Sequence, residues 1–298
     1  MGSPEFAVPC LRSLVDHYTV TGVVTQPDRP SGRGQNITAS PVKLLSDQLG
    51  LPTIQPRRLR DPDAIQQLNS WAPDLIIVVA FGQILRSAVL DLPRLGCINV
   101  HGSLLPRWRG AAPVQAAILH GDAQTGITIM RMDPGIDTGP ILRQRQEAIL
   151  PTDTYSSLAR RLSITGAELL IETLPEYVNE DLQPTPQNEE HATYAPMLKK
   201  EDGLLDFNLS AAELERKVRA LNPWPGAFLL WSGHHLKIHR ASVLSQEINR
   251  EPGKFLVWEG KPVVNTSNGL LVLEEVQPAG KRIMSGTAFQ QGNKKWGV

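Results

Sequence analysis

Apolar positions along the first two hundred residues switch repeatedly between short continuous runs and helical spacing. Val20–Thr25 predicts a strand. Ser40-Pro41 then offers a side-chain cap and a proline at the first helical position, and Gly50-Leu51-Pro52 stops that helix. Asp61-Pro62 repeats the start signal before Ala64–Trp71, and Leu75–Phe81 is apolar throughout, as for a strand covered on both faces. Cys97–Val100 and Gly126–Met132 read as strands, Pro113–His120 and Thr154–Val178 as helices. Alternating strands and helices predict a doubly wound, mostly parallel α/β domain over residues 1–180.

Residues 181–199 are polar, broken by Pro184, Pro186 and Pro196, and read as a linker. Beyond it, over residues 200–298, Ser210-x-x-Glu213 is a capping box opening a helix to about Leu221. Short β runs follow at Phe228–Trp231, Leu236–Val243, Phe255–Trp258, Val263–Thr266 and Leu270–Val276, with Ser267-Asn268-Gly269 as a turn. Five strands in so short a span predict a small OB-like β-barrel.

Composition narrows this only slightly. With 41% apolar and 20% charged residues, the 298-residue chain is neither disordered nor fibrous. Basic and acidic residues balance at 30 each, but residues 1–199 carry a net −3 and residues 200–298 a net +3, so the second part is where phosphate is expected. Two cysteines, Cys10 and Cys97, make neither a disulfide framework nor a paired-cysteine metal site. No apolar run approaches the roughly 18 residues of a membrane span. The expected setting is a reducing cytoplasm, with no membrane partner and no metal.

The chemistry concentrates in Asn99-Val-His101-Gly-Ser103-Leu-Leu-Pro106-Arg107-Trp108-Arg109-Gly110. Asn99 and His101 lie two apart at a strand end, so both project to one face, toward the crevice where open α/β sheets bind ligands. Asp137, in a Gly- and Pro-rich loop after the next strand, brings a carboxylate to the same edge. Amide, imidazole and carboxylate together suit transfer of an acyl-type group to an amine. A purely structural Asn-x-His pair fits the same spacing. No nucleophile elbow, dinucleotide fingerprint or P-loop occurs.

NVHGSLLPRWRGAAPVQAAI together with TGITIMRMDPGIDTGPI resembles the signature of the folate-dependent formyltransferases. Four further segments resemble the branch of that family acting on methionyl-tRNA: Pro4–Pro9, Gln26–Gly34, Pro41-Val42-Lys43 and Asn222–Gly226. The resemblance implies a Rossmann-like catalytic domain and a C-terminal tRNA-binding domain. It implies formyl transfer from 10-formyltetrahydrofolate to the α-amine of initiator methionyl-tRNA, in a bacterial or organellar cytoplasm, by a monomer. Asn99, His101 and Asp137 match the family's catalytic residues, and Ser103, Leu104, Leu105 and Pro106 its folate-contacting segment. Residues Gln26–Asn36 match a loop that engages the tRNA acceptor end, which makes Arg29 and Arg33 its expected tRNA contacts. Relatives carry an apolar strand ahead of the Gly2-Ser3-Pro4 stretch, so the first strand of the sheet is expected to be missing here. A formyltetrahydrofolate hydrolase, a sugar-amine formyltransferase and a tRNA-binding module without turnover are the competing expectations.

Overall fold

The computed structural model describes residues 1–31, 36–246 and 250–297. It divides into two units. The first comprises Met1–Pro113, Gln124–Ala148 and Ala159–Ala195, the second Val114–Ala123, Ile149–Leu158 and Pro196–Val298.

Strands of the first unit are β1 (Val23–Val24), β2 (Arg29–Ser31), β3 (Asn36–Thr38), β4 (Thr53–Ile54), β5 (Ile76–Val78), β6 (Cys97–His101), β7 (Arg109–Gly110), β8 (Gln124–Arg131), β9 (Ile141–Ala148) and β10 (Tyr194–Ala195). Helices α1 (Val8–His17), α2 (Pro41–Gln48), α3 (Pro62–Trp71) and α4 (Ser87–Leu90) run between them. Two more, α5 (Pro113–His120) and α6 (Tyr155–Val178), contribute to both units. The α2 cap is as expected: the Ser40 hydroxyl accepts the Lys43 N–H at 3.1 Å with Pro41 behind it.

The sheet that carries the site runs β5-β6-β8-β9, with β5 and β6 parallel and the other pairs antiparallel. A separate parallel pair joins β1 to β4. Met1 and Gly2 lie between the two: the Gly2 N–H donates to the Val24 carbonyl at 3.0 Å, and the Val79 N–H donates to the Met1 carbonyl at 2.9 Å. Where a first strand is expected to be missing, this short bridge is what the described chain provides. Both flanking strands are shorter than the apolar runs suggest. Ala80 adopts left-handed backbone at φ 47°, which ends the extended run before Phe81.

Strand β9 is absent from the expected elements. Its Ile-Leu-Arg-Gln-Arg-Gln-Glu-Ala stretch gives little apolar alternation because only Leu142 is buried and polar residues occupy both faces of this edge strand. Arg143 and Arg145 on that edge pair with Glu176 and Glu172 of α6, the charged treatment typical of sheet edges.

The second unit contains α7 (Ala211–Ala220), β11 (Ala227–Trp231), β12 (His234–Leu244), β13 (Phe255–Trp258), β14 (Lys261–Asn265), β15 (Leu270–Pro278), β16 (Met284–Ser285) and α8 (Gly286–Gly292). Its antiparallel sheet runs β11-β12-β15-β14-β13, with β16 added to β15. The α7 N-terminus is a complete capping box: Glu213 N–H donates to the Ser210 hydroxyl, and Ser210 N–H donates back to the Glu213 carboxylate at 2.8 Å. Leu214 and Val218 of α7 enter one core with Leu229, Leu273, Phe289 and Trp296. The mostly parallel Rossmann-like unit and the small antiparallel unit expected from the sequence are therefore both present.

Candidate active site

Strand β6 is central in its sheet, held by β5 on one side and β8 on the other, and every one of its five residues is buried. Alternation sends Ile98 and Val100 to one face, where they are almost wholly covered. Asn99 and His101 go to the other.

Asp137 meets them there, from the loop after β8. The Asn99 side-chain amide donates to Asp137 Oδ1 at 3.1 Å. His101 Nδ1 lies 3.6 Å from Asp137 Oδ2, which also accepts the Gly110 backbone N–H at 2.8 Å. His101 Nε2 stands 2.9 Å from the Trp108 carbonyl. A carbonyl only accepts, so Nε2 carries a proton and Nδ1 is the nitrogen turned to the carboxylate. Asn99, His101 and the Gly110 N–H thus meet at the one Asp137 carboxylate.

Two members of this site are held in left-handed backbone despite carrying side chains, Trp108 at φ 63° and Asp137 at φ 52°. Such conformations persist only where the surroundings over-determine them. Close packing contributes: a Cβ on Gly139 would stand 1.9 Å from the Arg131 carbonyl oxygen, so the loop returns to β9 through a passage only glycine fits.

The segment Ser103–Pro106 leaves β6 directly after His101-Gly102 and is shaped by one hydroxyl. Thr128 Oγ1 donates to the Ser103 carbonyl at 2.6 Å and accepts both the Leu105 N–H at 3.0 Å and the Gln144 amide at 2.8 Å. Gln144 also donates to the Leu105 carbonyl at 2.9 Å. The Ser103 hydroxyl is occupied with the Arg107 carbonyl and Leu105 is buried, so Leu104 and Pro106 are the partly exposed members. The Leu105–Pro106 peptide is cis.

Arg29 is exposed and stands on strand β2, its guanidinium donating to Gln26 at 3.0 Å, with no bond among the described contacts to Asn99, His101 or Asp137. Arg33 lies outside the described residues. Among the described residues no group of three or more His, Cys, Asp or Glu side chains is placed to hold a metal ion.

Sequence reasoning misses a second layer. Arg109 is completely buried, and its guanidinium grips both oxygens of Glu189, at 2.8 and 2.7 Å, and the Gln187 side-chain oxygen, at 3.0 and 2.9 Å. Hydrogen bonding to Glu189 raises the arginine further above its ordinary range, and the same bonds hold the Glu189 carboxyl below the usual one. The Arg109 backbone N–H donates to the Thr193 carbonyl at 2.8 Å, and β7 pairs with β10. These partners come from residues expected to be a linker, a stretch whose polarity gives no periodic signal.

Residues 8–174 match the formyl transferase family, and residues 197–294 match the formyl transferase C-terminal domain. The chain belongs to the formyl transferase family. This formyl transferase is 48% identical over 294 residues to the methionyl-tRNA formyltransferase of Myxococcus xanthus, covering 99% of this chain and 94% of that one. It is 46% identical over 295 residues to the methionyl-tRNA formyltransferase of Chloroflexus aggregans, covering 98% and 96%. Among solved structures, the sugar 3N-formyl transferase WlaRD, determined with dTDP and 5-N-formyl-THF, superposes with a TM-score of 0.68 at 18% identity, covering 94% of this chain and 97% of that one. HypX from Aquifex aeolicus with tetrahydrofolic acid superposes at 0.62 and 19% identity, over 93% of this chain and 48% of that one. The folds are alike across these proteins. No helix among the described residues is long and apolar enough to cross a membrane.

Proposed function

We infer that this formyl transferase moves the formyl group of 10-formyltetrahydrofolate onto the α-amine of methionine carried by initiator tRNA, for the start of translation. The observation that carries the chemistry is the Asp137 carboxylate, bonded by Asn99 at 3.1 Å and faced by His101 Nδ1 at 3.6 Å. The relatives named for methionyl-tRNA, at 46–48% identity over nearly the whole chain, carry the choice of acceptor.

The donor supplies the formyl carbon. Leu104 and Pro106, partly exposed three and five residues past His101, offer the apolar surface against which a flat pterin ring fits. Asn99 has a second amide N–H beyond the one given to Asp137, and it donates to the carbonyl oxygen that gains charge as the amine adds. The bond between the formyl carbon and the folate nitrogen then breaks, and His101 carries the proton lost by the amine to that leaving nitrogen. Asp137, 3.6 Å from Nδ1, holds the imidazole in orientation. Arg29 and Arg33 are assigned to the tRNA acceptor end, and exposed Lys237, Lys254, Arg282, Lys294 and Lys295 of the second unit to its phosphates.

The test is formylation of methionyl-initiator tRNA by the chain and by His101→Ala, with a dTDP-linked amino sugar as the alternative acceptor. Formylation of the tRNA alone, cut on the order of a thousandfold or more in the variant, is the expected result. Formylation of the sugar and not the tRNA overturns the acceptor, and full activity in His101→Ala overturns the site.

A further inference from the structure

The Asp137 loop has a support outside the three residues that meet at its carboxylate. Gln187 Nε2 donates to the Asp137 carbonyl at 2.8 Å and to the Gly139 carbonyl at 2.7 Å, reaching back 50 and 48 residues along the chain. Its side-chain oxygen takes two N–H bonds from Arg109, at 3.0 and 2.9 Å. Every hydrogen-bonding direction of that amide is used. Turned over, its NH₂ would face a guanidinium and its oxygen two carbonyls, so only one orientation is possible. Arg109 is itself fixed, fully buried and gripped through both carboxylate oxygens of Glu189.

This linkage acts on a residue in left-handed backbone. Asp137 sits at φ 52°, a conformation that costs a residue carrying a Cβ, and its own peptide carbonyl is what Gln187 pulls on. Arg109 is followed by Gly110, whose N–H binds Asp137 Oδ2 at 2.8 Å. Glu189, Arg109 and Gln187 therefore clamp Asp137 twice, at the carbonyl through Gln187 and at the carboxylate through Gly110. A catalytic carboxylate displaced by about 1 Å can lose on the order of a hundredfold in rate. We propose that Gln187 is a positioning residue for the reaction, setting the place of the Asp137 carboxylate relative to His101 and Asn99 through the Arg109–Glu189 pair.

The proposal rests on the reading of Asp137 as catalytic, and the variants separate the two. Gln187→Met keeps the length of the side chain and gives up all four bonds. Gln187→Glu keeps the bond to Arg109 but sets an oxygen against the Asp137 and Gly139 carbonyls. Each is compared with Asp137→Asn for kcat, for KM toward both substrates, for the pH dependence of kcat, and for the titration of the His101 ring followed by NMR. Expected are a fall in kcat of roughly 10- to 100-fold with KM changed less than about threefold. The His101 titration should move in the same direction as in Asp137→Asn. A variant that lowers Tm while leaving kcat per folded molecule and the His101 titration unchanged overturns the proposal, because that is the signature of a clamp on stability alone. Should one variant fail to fold, the other decides. Wild-type kcat in Asp137→Asn overturns instead the catalytic reading on which the proposal stands.

Discussion

Asn99 and Asp137 form a pair whose chemistry depends on one being an amide. The amide donates to Asp137 at 3.1 Å, where a second carboxylate could only repel. Asn99→Asp keeps the shape and reverses that logic. Two carboxylates this close repel, so the pair gives up its last proton only above the usual carboxylate range, and beyond that point both are ionised and neither donates. At pH 7.5 the expected cost is about 10²- to 10³-fold in kcat, the cost of one lost oxyanion donor. On lowering the pH the pair regains a shared proton and a donor, so Asn99→Asp should recover relative to Asn99→Leu, which has no proton to regain. Parallel kcat–pH profiles of the two variants, offset by a constant factor, would exclude this account of the pair.

Among the elements, helix α7 shows how much a local signal can carry. Ser210 and Glu213 exchange bonds as the capping box requires, and Ser210 Oγ adds a third at 2.6 Å to the same carboxylate. Hydrogen bonds from Ser210 hold the Glu213 carboxyl below its ordinary range. Ser210→Ala should lower stability by about 1 kcal/mol in denaturant titrations near neutral pH. A carboxylate whose folded pKa is depressed contributes above its unfolded value and loses that contribution as pH falls through the folded one. The difference between wild type and Ser210→Ala should therefore shrink on acidification below the carboxylate range, and a difference that grows there contradicts the assignment. This helix, like α2, is legible in the sequence because its cap is a pattern of neighbours. The same holds for Asn99 and His101, placed together by the two-residue period of β6. Strand β9 is not legible, because an edge strand with half-buried Arg143 and Arg145 on its inward face loses the apolar alternation that marks a strand. Gln187 and Glu189 are invisible for a further reason: their partner Arg109 is 78 and 80 residues away, and nothing local records a contact made across that distance.

At the scale of the whole molecule the charge is zero, yet its division is not. The first 199 residues carry −3 and the remainder +3, so an anionic partner meets a favourable field over only part of the chain. Part of the basic charge in the second unit is already spent: Arg240 pairs with Glu275, Lys261 with Glu274, and Arg219 with Glu215. Among the described residues of this unit Lys199, Lys200, Lys237, Arg250, Lys281, Arg282, Lys294 and Lys295 are exposed and form no ion pair, and Lys254 reaches Glu251 only at 4.0 Å. These are the side chains that can meet the phosphates of a polyanion such as tRNA. Counterion release gives a loss of affinity linear in the logarithm of salt, with a slope of about −0.7 to −0.9 for each phosphate neutralised. Lys294→Ala combined with Lys295→Ala should therefore flatten the measured slope by about 1.4 to 1.8, weaken initiator tRNA binding most at low salt, and leave kcat at saturating tRNA unchanged. Both lysines follow α8 and precede Trp296, whose indole is buried and donates to the Leu256 carbonyl at 2.8 Å, so their backbone is anchored while their side chains stay in solvent. A slope unaltered by the double substitution would remove these two residues from the tRNA surface and leave the binding charge to Arg29 and the other exposed cations of this unit.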